Sequence, residues 1–259
     1  MDKKDVKVVI FCGGKGTRLR EVSELLPKPL VPIGEMPILW HIMKGYATQG
    51  YRNFVLCLGY RGDLIRNFFI DYVNHQHDMM INLKSGNILY RDGETEDWNI
   101  TLVNTGQETL TGGRLHTVKK YLERDPYFMV TYGDGVSDVN IDAVLQYHLS
   151  TGVAGTLTGI RASSKYGQVK TDEKGIATQF AQYPLLDDRI NGGFMVFNSE
   201  IFENSLLYMN PMIEKVSIED VIEHLTKQRR IAIFNHDGSW LCMDAPQHFE
   251  QLNALWEAG

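Results

Sequence analysis

A chain of 259 residues with 43% hydrophobic and 22% charged residues can bury a substantial core, so composition excludes disorder, coiled coil and collagen. Its net charge of −6 leaves no broad basic surface, which excludes a duplex-binding protein whose affinity rests on many phosphate contacts. The opening residues lack a signal-like leader and no apolar run reaches membrane-spanning length, so the expectation is a cytoplasmic protein with neither a nucleic-acid nor a membrane partner.

The apolar run 6–12 reads as a buried strand ending in Gly13-Gly14-Lys15-Gly16-Thr17-Arg18-Leu19, and Pro27-Lys28-Pro29 follows. Glycines let main-chain N–H groups approach phosphate oxygens without a Cβ in the way. Arg18 and Lys28 add the charge-assisted bonds that a triphosphate needs. Neither common phosphate loop fits: no Gly-Lys-Ser/Thr triplet follows, and Leu19 stands where the third glycine of Gly-x-Gly-x-x-Gly belongs. On glycines alone a plain connection is an equally good reading, and the two cations tilt it toward a polyphosphate.

Pro37, at a first-turn position, opens a helix through Ile38, Leu39, Ile42, Met43 and Tyr46. A strand over 54–58 and a helix through Leu64, Ile65, Phe68, Phe69 and Tyr72 come next. The span 75–98 is polar and poorly periodic, which predicts an excursion such as an antiparallel hairpin. Strands over 100–103 and 128–132 follow. Continuous apolar strands alternating with helices predict a doubly wound, mostly parallel α/β sheet of the Rossmann-like kind, with ligands at the carboxyl ends of the strands.

Beyond residue 150 the strand-like runs 156–162, 168–171, 176–180 and 194–197 predict a smaller mixed sheet beside the first. Ser217 caps a helix with Glu219 and Asp220 in its first turn, 231–234 and 240–243 read as closing strands, and Pro246 opens a last helix. The expected organisation is one domain, 1–259, with 1–150 mainly the nucleotide half and 151–259 mainly the acceptor half.

A triphosphate site usually carries a divalent ion. Asp134 follows an apolar strand between two glycines in Tyr132-Gly133-Asp134-Gly135, and Asp244 ends the run Trp240-Leu241-Cys242-Met243. Two carboxylates with phosphate oxygens and waters make an ordinary magnesium site. Aspartate at a strand end also caps turns, and that reading stays open, for Asp244 above all. Asp138, Asp142, Asp187 and Asp188 read as turn or surface residues. Cys12, Cys57 and Cys242 lie in apolar runs without zinc spacing and read as buried thiols. His41, His116, His148 and His224 sit in helical patterns, Ser163-Ser164 and Ser239 lack a nucleophile elbow, and the tryptophans are scattered. Phosphoryl or nucleotidyl transfer remains.

Read together with Pro37-Ile38-Leu39-Trp40-His41-Ile42 and Asn191-Gly192-Gly193-Phe194, these motifs resemble the sugar-phosphate nucleotidylyltransferases. Trp98-Asn99-Ile100-Thr101-Leu102-Val103, Thr105-Gly106 and Thr111-Gly112-Gly113-Arg114-Leu115 are similar to the glucose-1-phosphate cytidylyltransferases within that family. The resemblance implies attack of an acceptor phosphate oxygen on the α-phosphorus of CTP, with Mg2+, release of pyrophosphate and a homo-oligomeric enzyme. It assigns Arg18 and the loop amides to the β- and γ-phosphates, Lys28 to the α-phosphate, and Asp134 and Asp244 to the metal. Phe11, Cys12, Gly13, Gly14, Lys15, Gly16, Thr17, Thr109, Gly113, Arg114 and Gly133 complete the implied nucleotide set. Tyr166, Gly167, Tyr183, Asn191, Gly192 and Gly193 are the implied acceptor set. One departure stands out: Gln182-Tyr183-Pro184 occupies the place of the family's Glu-Lys-Pro, whose lysine meets the sugar phosphate. The contact is lost here or comes from Lys165, Lys170 or Arg189, so a different phosphorylated acceptor is expected. That acceptor is another sugar phosphate or a non-sugar such as the phosphoglutamine of capsular phosphoramidate synthesis. Thymidylyl or uridylyl transfer, and a nucleotide-binding homologue without turnover, are the alternatives.

Overall fold

The computed structural model describes residues 1–14, 26–164, 166–203 and 205–258. Eight strands form the central sheet: β1 (Lys7–Cys12), β2 (Asn53–Leu58), β3 (Asn99–Asn104), β4 (Tyr127–Tyr132), β5 (Gly155–Ser163), β6 (Leu185–Asn191), β7 (Met195–Asn198) and β8 (Ile231–His236). Strands β4, β1, β2 and β3 are parallel neighbours in that order. Strand β7 joins them antiparallel through Met195–Asn198 against 127–130, and β5 pairs in turn with β7. Residues Gly155 and Thr156 of β5 meet both β7 and β8, and Gly159 and Ile160 meet both β6 and β8. A strand has two edges, so β6 and β7 run in succession along one and β8 along the other.

This corrects one expectation. The strands over 155–163, 185–191, 195–198 and 231–236 extend the central sheet rather than building a separate mixed sheet, while Gln168–Thr171 pairs antiparallel with Ala177–Ala181 and Trp240–Cys242 with Gly135–Ser137 in separate two-stranded sheets. An apolar run announces a strand but carries no information about its partner, because pairing is settled by long-range packing. The excursion at 75–98 contains the expected hairpin, Asp78–Asn82 against Asn87–Arg91, exposed along both strands.

Alternate side chains of β1 enter different cores. Val8, Ile10 and Cys12 face one cluster with Ile38, Ile42, Met43 and Tyr46 of helix α1 (Ile38–Ala47). Val9 and Phe11 face the other with Leu115 of α3 (Thr111–Thr117) and Val221 and Leu225 of α5 (Ile218–Lys227). Helices α2 (Gly62–Ile70), α4 (Ile141–Thr151) and α6 (Pro246–Glu257) complete the layers, with Ile65, Val144 and Leu252 in the first cluster. Helix on sheet on helix explains why the parallel strands are continuously apolar. Helix α5 begins with a full capping box, Ser217 accepting from Asp220 N and Asp220 accepting from Ser217 N, and this fixes its first turn beside the sheet's carboxyl edge.

Candidate active site

The carboxyl ends of β1 and β4 open into a cavity of about 490 Å³. Its walls carry Gly13, Gly14, Lys28, Asp134 and Asp244 together with Thr109, Leu110, Thr111, Ser217 and Glu219. Open parallel sheets put ligand crevices at this edge, because adjacent strand ends there release their loops in different directions.

Backbone geometry brings the carboxylates together. Gly133 N donates to Phe11 O at 3.1 Å, and a Cβ on Gly133 would stand 2.8 Å from that same oxygen, so only glycine lets β4 end so close to β1. Just beyond it, Gly135–Ser137 pairs antiparallel with Trp240–Cys242, and Met243 N donates to Asp134 O at 2.8 Å. This short ladder delivers Asp244 to Asp134 from the far end of the chain.

Lys28 lies between them, its Nζ donating to Asp134 Oδ2 at 2.6 Å and to Asp244 Oδ1 at 2.7 Å. Burial works against the ammonium, but the Asp134 charge and the bonds to both carboxylates outweigh it and hold Lys28 above its usual range. Two carboxylates converging on one cation form a site a divalent ion fits, with the ammonium as stand-in. Cys242, expected to be a buried thiol, is half-buried and joins this group, its sulfur and the two carboxylates lying within 4.8 Å of one another. Burial, then the charge of Asp134, pushes that thiol well up, so it is protonated. Cys12 and Cys57 are buried as expected, with Cys57 pushed up to about 12 by its surroundings.

Of the implied nucleotide residues, Phe11, Cys12, Gly13, Gly14, Lys28, Thr109, Arg114 and Gly133 line the cavity. Lys15, Gly16, Thr17 and Arg18 lie outside the described residues, as does Lys165. Gly113 is not on the wall: a Cβ there would meet Ile213 O and the Glu214 backbone, so this glycine lets α3 pack against the 213–217 segment. Arg114 is buried at the cavity's edge, its terminal nitrogens turned toward main-chain oxygens.

The acceptor set divides. Asn191 Nδ2 donates to Tyr132 Oη at 3.3 Å, and Tyr132 donates onward to Glu219 Oε1 at 2.6 Å, which ties the end of β6 to the cavity wall. Burial and the neighbouring Glu219 push the Tyr132 phenol well up, so it remains a donor. Gly192 and Gly193 form the turn between β6 and β7: Gly193 has φ 76° and Gly192 N donates to Thr158 O at 2.8 Å. Tyr166, Gly167 and Tyr183 are not on the cavity wall. Tyr166 and Tyr183 are 80% and 60% exposed, and Tyr183 takes a left-handed backbone, φ 53°. Arg189 is not on the cavity wall and donates to Gly159 O, His236 O and Asp237 Oδ1.

Sequence reasoning missed Tyr132, Glu219 and Cys242 as members of this site. Glu219 was visible only as a first-turn acid, and its role depends on where α5 docks.

Comparison with known proteins gives one consistent result. The nucleotidyl transferase family model matches residues 7–257. A Bacillus subtilis (strain 168) protein named as a probable glucose-1-phosphate cytidylyltransferase is 38% identical over 254 residues, covering 98% of this chain and 97% of that one. The Salmonella typhi glucose-1-phosphate cytidylyltransferase is 36% identical over 258 residues, with the same coverage. The crystal structure of HddC from Yersinia pseudotuberculosis superposes with a TM-score of 0.70 at 21% identity over 97% of this chain and 99% of that one, a likeness of fold. With a family match over nearly its whole length and relatives of this similarity, the chain belongs to the nucleotidyl transferase family.

Proposed function

We propose that the protein transfers the cytidylyl group of CTP to a phosphorylated acceptor of the glucose 1-phosphate kind, using Mg2+ and releasing pyrophosphate. The observation that carries this reading is the convergence of Lys28, Asp134 and Asp244 beside Gly13 and Gly14 at the carboxyl edge of a parallel sheet. The base and acceptor are taken from the relatives named glucose-1-phosphate cytidylyltransferase.

Asp134 and Asp244 would hold a divalent ion, which would supply charge stabilisation at the reacting phosphates. Lys28, whose ammonium lies at the same carboxylates, is the donor to the α-phosphate. The main chain at Gly13 and Gly14, with Arg18, holds the leaving pyrophosphate. The acceptor's phosphate oxygen is already an anion at neutral pH, so no side chain has to act as base or nucleophile. Catalysis is in-line positioning with charge stabilisation.

Tyr183 in place of lysine, and Arg189 held by Asp237, favour a second reading in which the acceptor is not glucose 1-phosphate. Incubation with CTP, Mg2+ and a panel of sugar phosphates and phosphorylated amino acid amides, followed by pyrophosphate release, separates the two. The first reading predicts fastest release with glucose 1-phosphate. The second predicts little with it and rapid release with another acceptor. In either case CTP outcompetes UTP and dTTP; release that prefers UTP or dTTP contradicts the cytidylyl assignment.

A further inference from the structure

Beside Asp134 and Asp244 stands a ligand atom for which a magnesium ion has little use, the sulfur of Cys242. Strand pairing sets Cys242 directly opposite Gly135, one residue beyond Asp134. Asp244 N then donates to Cys242 O at 2.9 Å, a bond between residues two apart that folds the chain back just past the sulfur. Together these constraints place Cys242 Sγ and one oxygen from each carboxylate within 4.8 Å of one another. Cys242 is half-buried and not on the cavity wall, whereas both aspartates are on it. The sulfur therefore approaches the pair from the protein side, and the cavity side stays open.

A cation already occupies this place. Lys28 Nζ lies 2.6 Å from Asp134 Oδ2 and 2.7 Å from Asp244 Oδ1, so the space between the carboxylates accepts a positive centre. The ligand atoms of a tetrahedral zinc ion stand about 3.3–3.8 Å apart, a spacing that small side-chain rotations reach from the one observed. Magnesium takes hard oxygen ligands in an octahedron and gains nothing from sulfur, while zinc binds thiolate strongly. Two carboxylates, one thiolate and a fourth position open to the cavity are the ligand set of a tetrahedral, thiophilic ion.

We propose that Cys242 makes this carboxylate pair a site for thiophilic divalent ions of the zinc class, which compete there with the hard ion of the transfer reaction. As such an ion enters, the Lys28 ammonium is displaced, the sulfur–metal bond forms and the thiol proton leaves to solvent. This rests on the proposed reading of Asp134 and Asp244 as metal ligands and adds which class of ion their surroundings favour. No zinc-like spacing in the sequence announces the set, because the third ligand arrives through the ladder between Gly135–Ser137 and Trp240–Cys242.

The test titrates Zn2+ and Mn2+ separately, without nucleotide, into the wild type and Cys242→Ser by calorimetry. Co2+ is added to both proteins while sulfur-to-cobalt charge-transfer absorption is read, with melting temperatures alongside. The wild type is expected to bind Zn2+ about a hundredfold more tightly than Mn2+, to lose Mn2+ binding once Zn2+ is bound, and to show the absorption. Cys242→Ser is expected to bind Zn2+ about thirtyfold more weakly, to change its Mn2+ affinity by less than about threefold, and to lose the absorption. The other two cysteines are buried, so the variant isolates Cys242. Should Cys242→Ser fail to fold, alkylation of the wild type decides: Zn2+ but not Mg2+ must block labelling of Cys242, and labelling that Zn2+ does not block overturns the proposal. An unchanged Zn2+ affinity in folded Cys242→Ser, or absorption that persists in it, overturns the proposal. So does a wild type that binds Mn2+ yet shows no absorption with Co2+, and that result leaves the carboxylate reading standing. A wild type that binds none of the three ions overturns the carboxylate reading along with it.

Discussion

Asp134→Asn is expected to lower kcat/KM about a thousandfold, roughly 4 kcal/mol of transition-state stabilisation. The substitution keeps the shape of the side chain and removes its charge. Asp134 accepts from Lys28 at 2.6 Å and shares that ammonium with Asp244, so in the proposed reading it would hold both the lysine and the divalent ion. Asparagine presents one neutral oxygen, which still accepts a hydrogen bond from Lys28 but offers a divalent ion far less. The backbone should not feel the change, because the contact that fixes this corner runs from Met243 N to the Asp134 carbonyl. Steady-state pyrophosphate release and a melting curve check both halves. An Asp134→Asn protein with wild-type fold and more than a tenth of wild-type activity would show that this carboxylate is not a metal ligand.

Lys28→Met is expected to change binding and turnover in opposite directions. The ammonium now occupies the space between two carboxylates, so an incoming divalent ion has to displace it. Methionine fills the aliphatic path and takes the ammonium's charge from between the carboxylates. Their affinity for Mn2+ without nucleotide should rise about three- to tenfold, a modest factor because Asp244 is partly open to solvent. Turnover should fall about a hundredfold or more, because the charge that neutralises the α-phosphate is gone. Calorimetric titration with Mn2+ and initial rates decide it. Weaker Mn2+ binding in the variant would mean that Lys28 organises the carboxylates instead of competing for them.

Much of this arrangement was legible in the sequence, for identifiable reasons. The strand before Gly13, the helix after Pro37 and the capped helix at Ser217 follow from local periodicity and capping chemistry, and the structure has all three. Asp134 could be read because two glycines flank it at a strand end. Asp244 was ambiguous, since its meeting with Asp134 depends on a three-residue ladder between Gly135–Ser137 and Trp240–Cys242 that no local pattern announces. The surroundings of Arg114 and Gly113 were not legible for a related reason. Both lie in one short motif, yet one turns toward carbonyls at the strand ends and the other toward the 213–217 segment. Proximity in sequence to a ligand-facing residue does not fix where a side chain points. The runs 156–162 and 194–197 were found but assigned to a separate sheet, and the strand Leu185–Asn191 was not found, because the chain of pairings from β4 through β7 and β5 to β6 arises only in the tertiary fold.

The central claim is transfer of a cytidylyl group, and the fate of the α-phosphorus tests it most directly. With CTP labelled at that phosphorus, Mg2+ and glucose 1-phosphate, or the best acceptor of the panel, the account predicts one labelled CDP-linked product and one unlabelled pyrophosphate per turnover. Label recovered in CDP alongside orthophosphate, or bound CTP that stays intact with every acceptor, would contradict it.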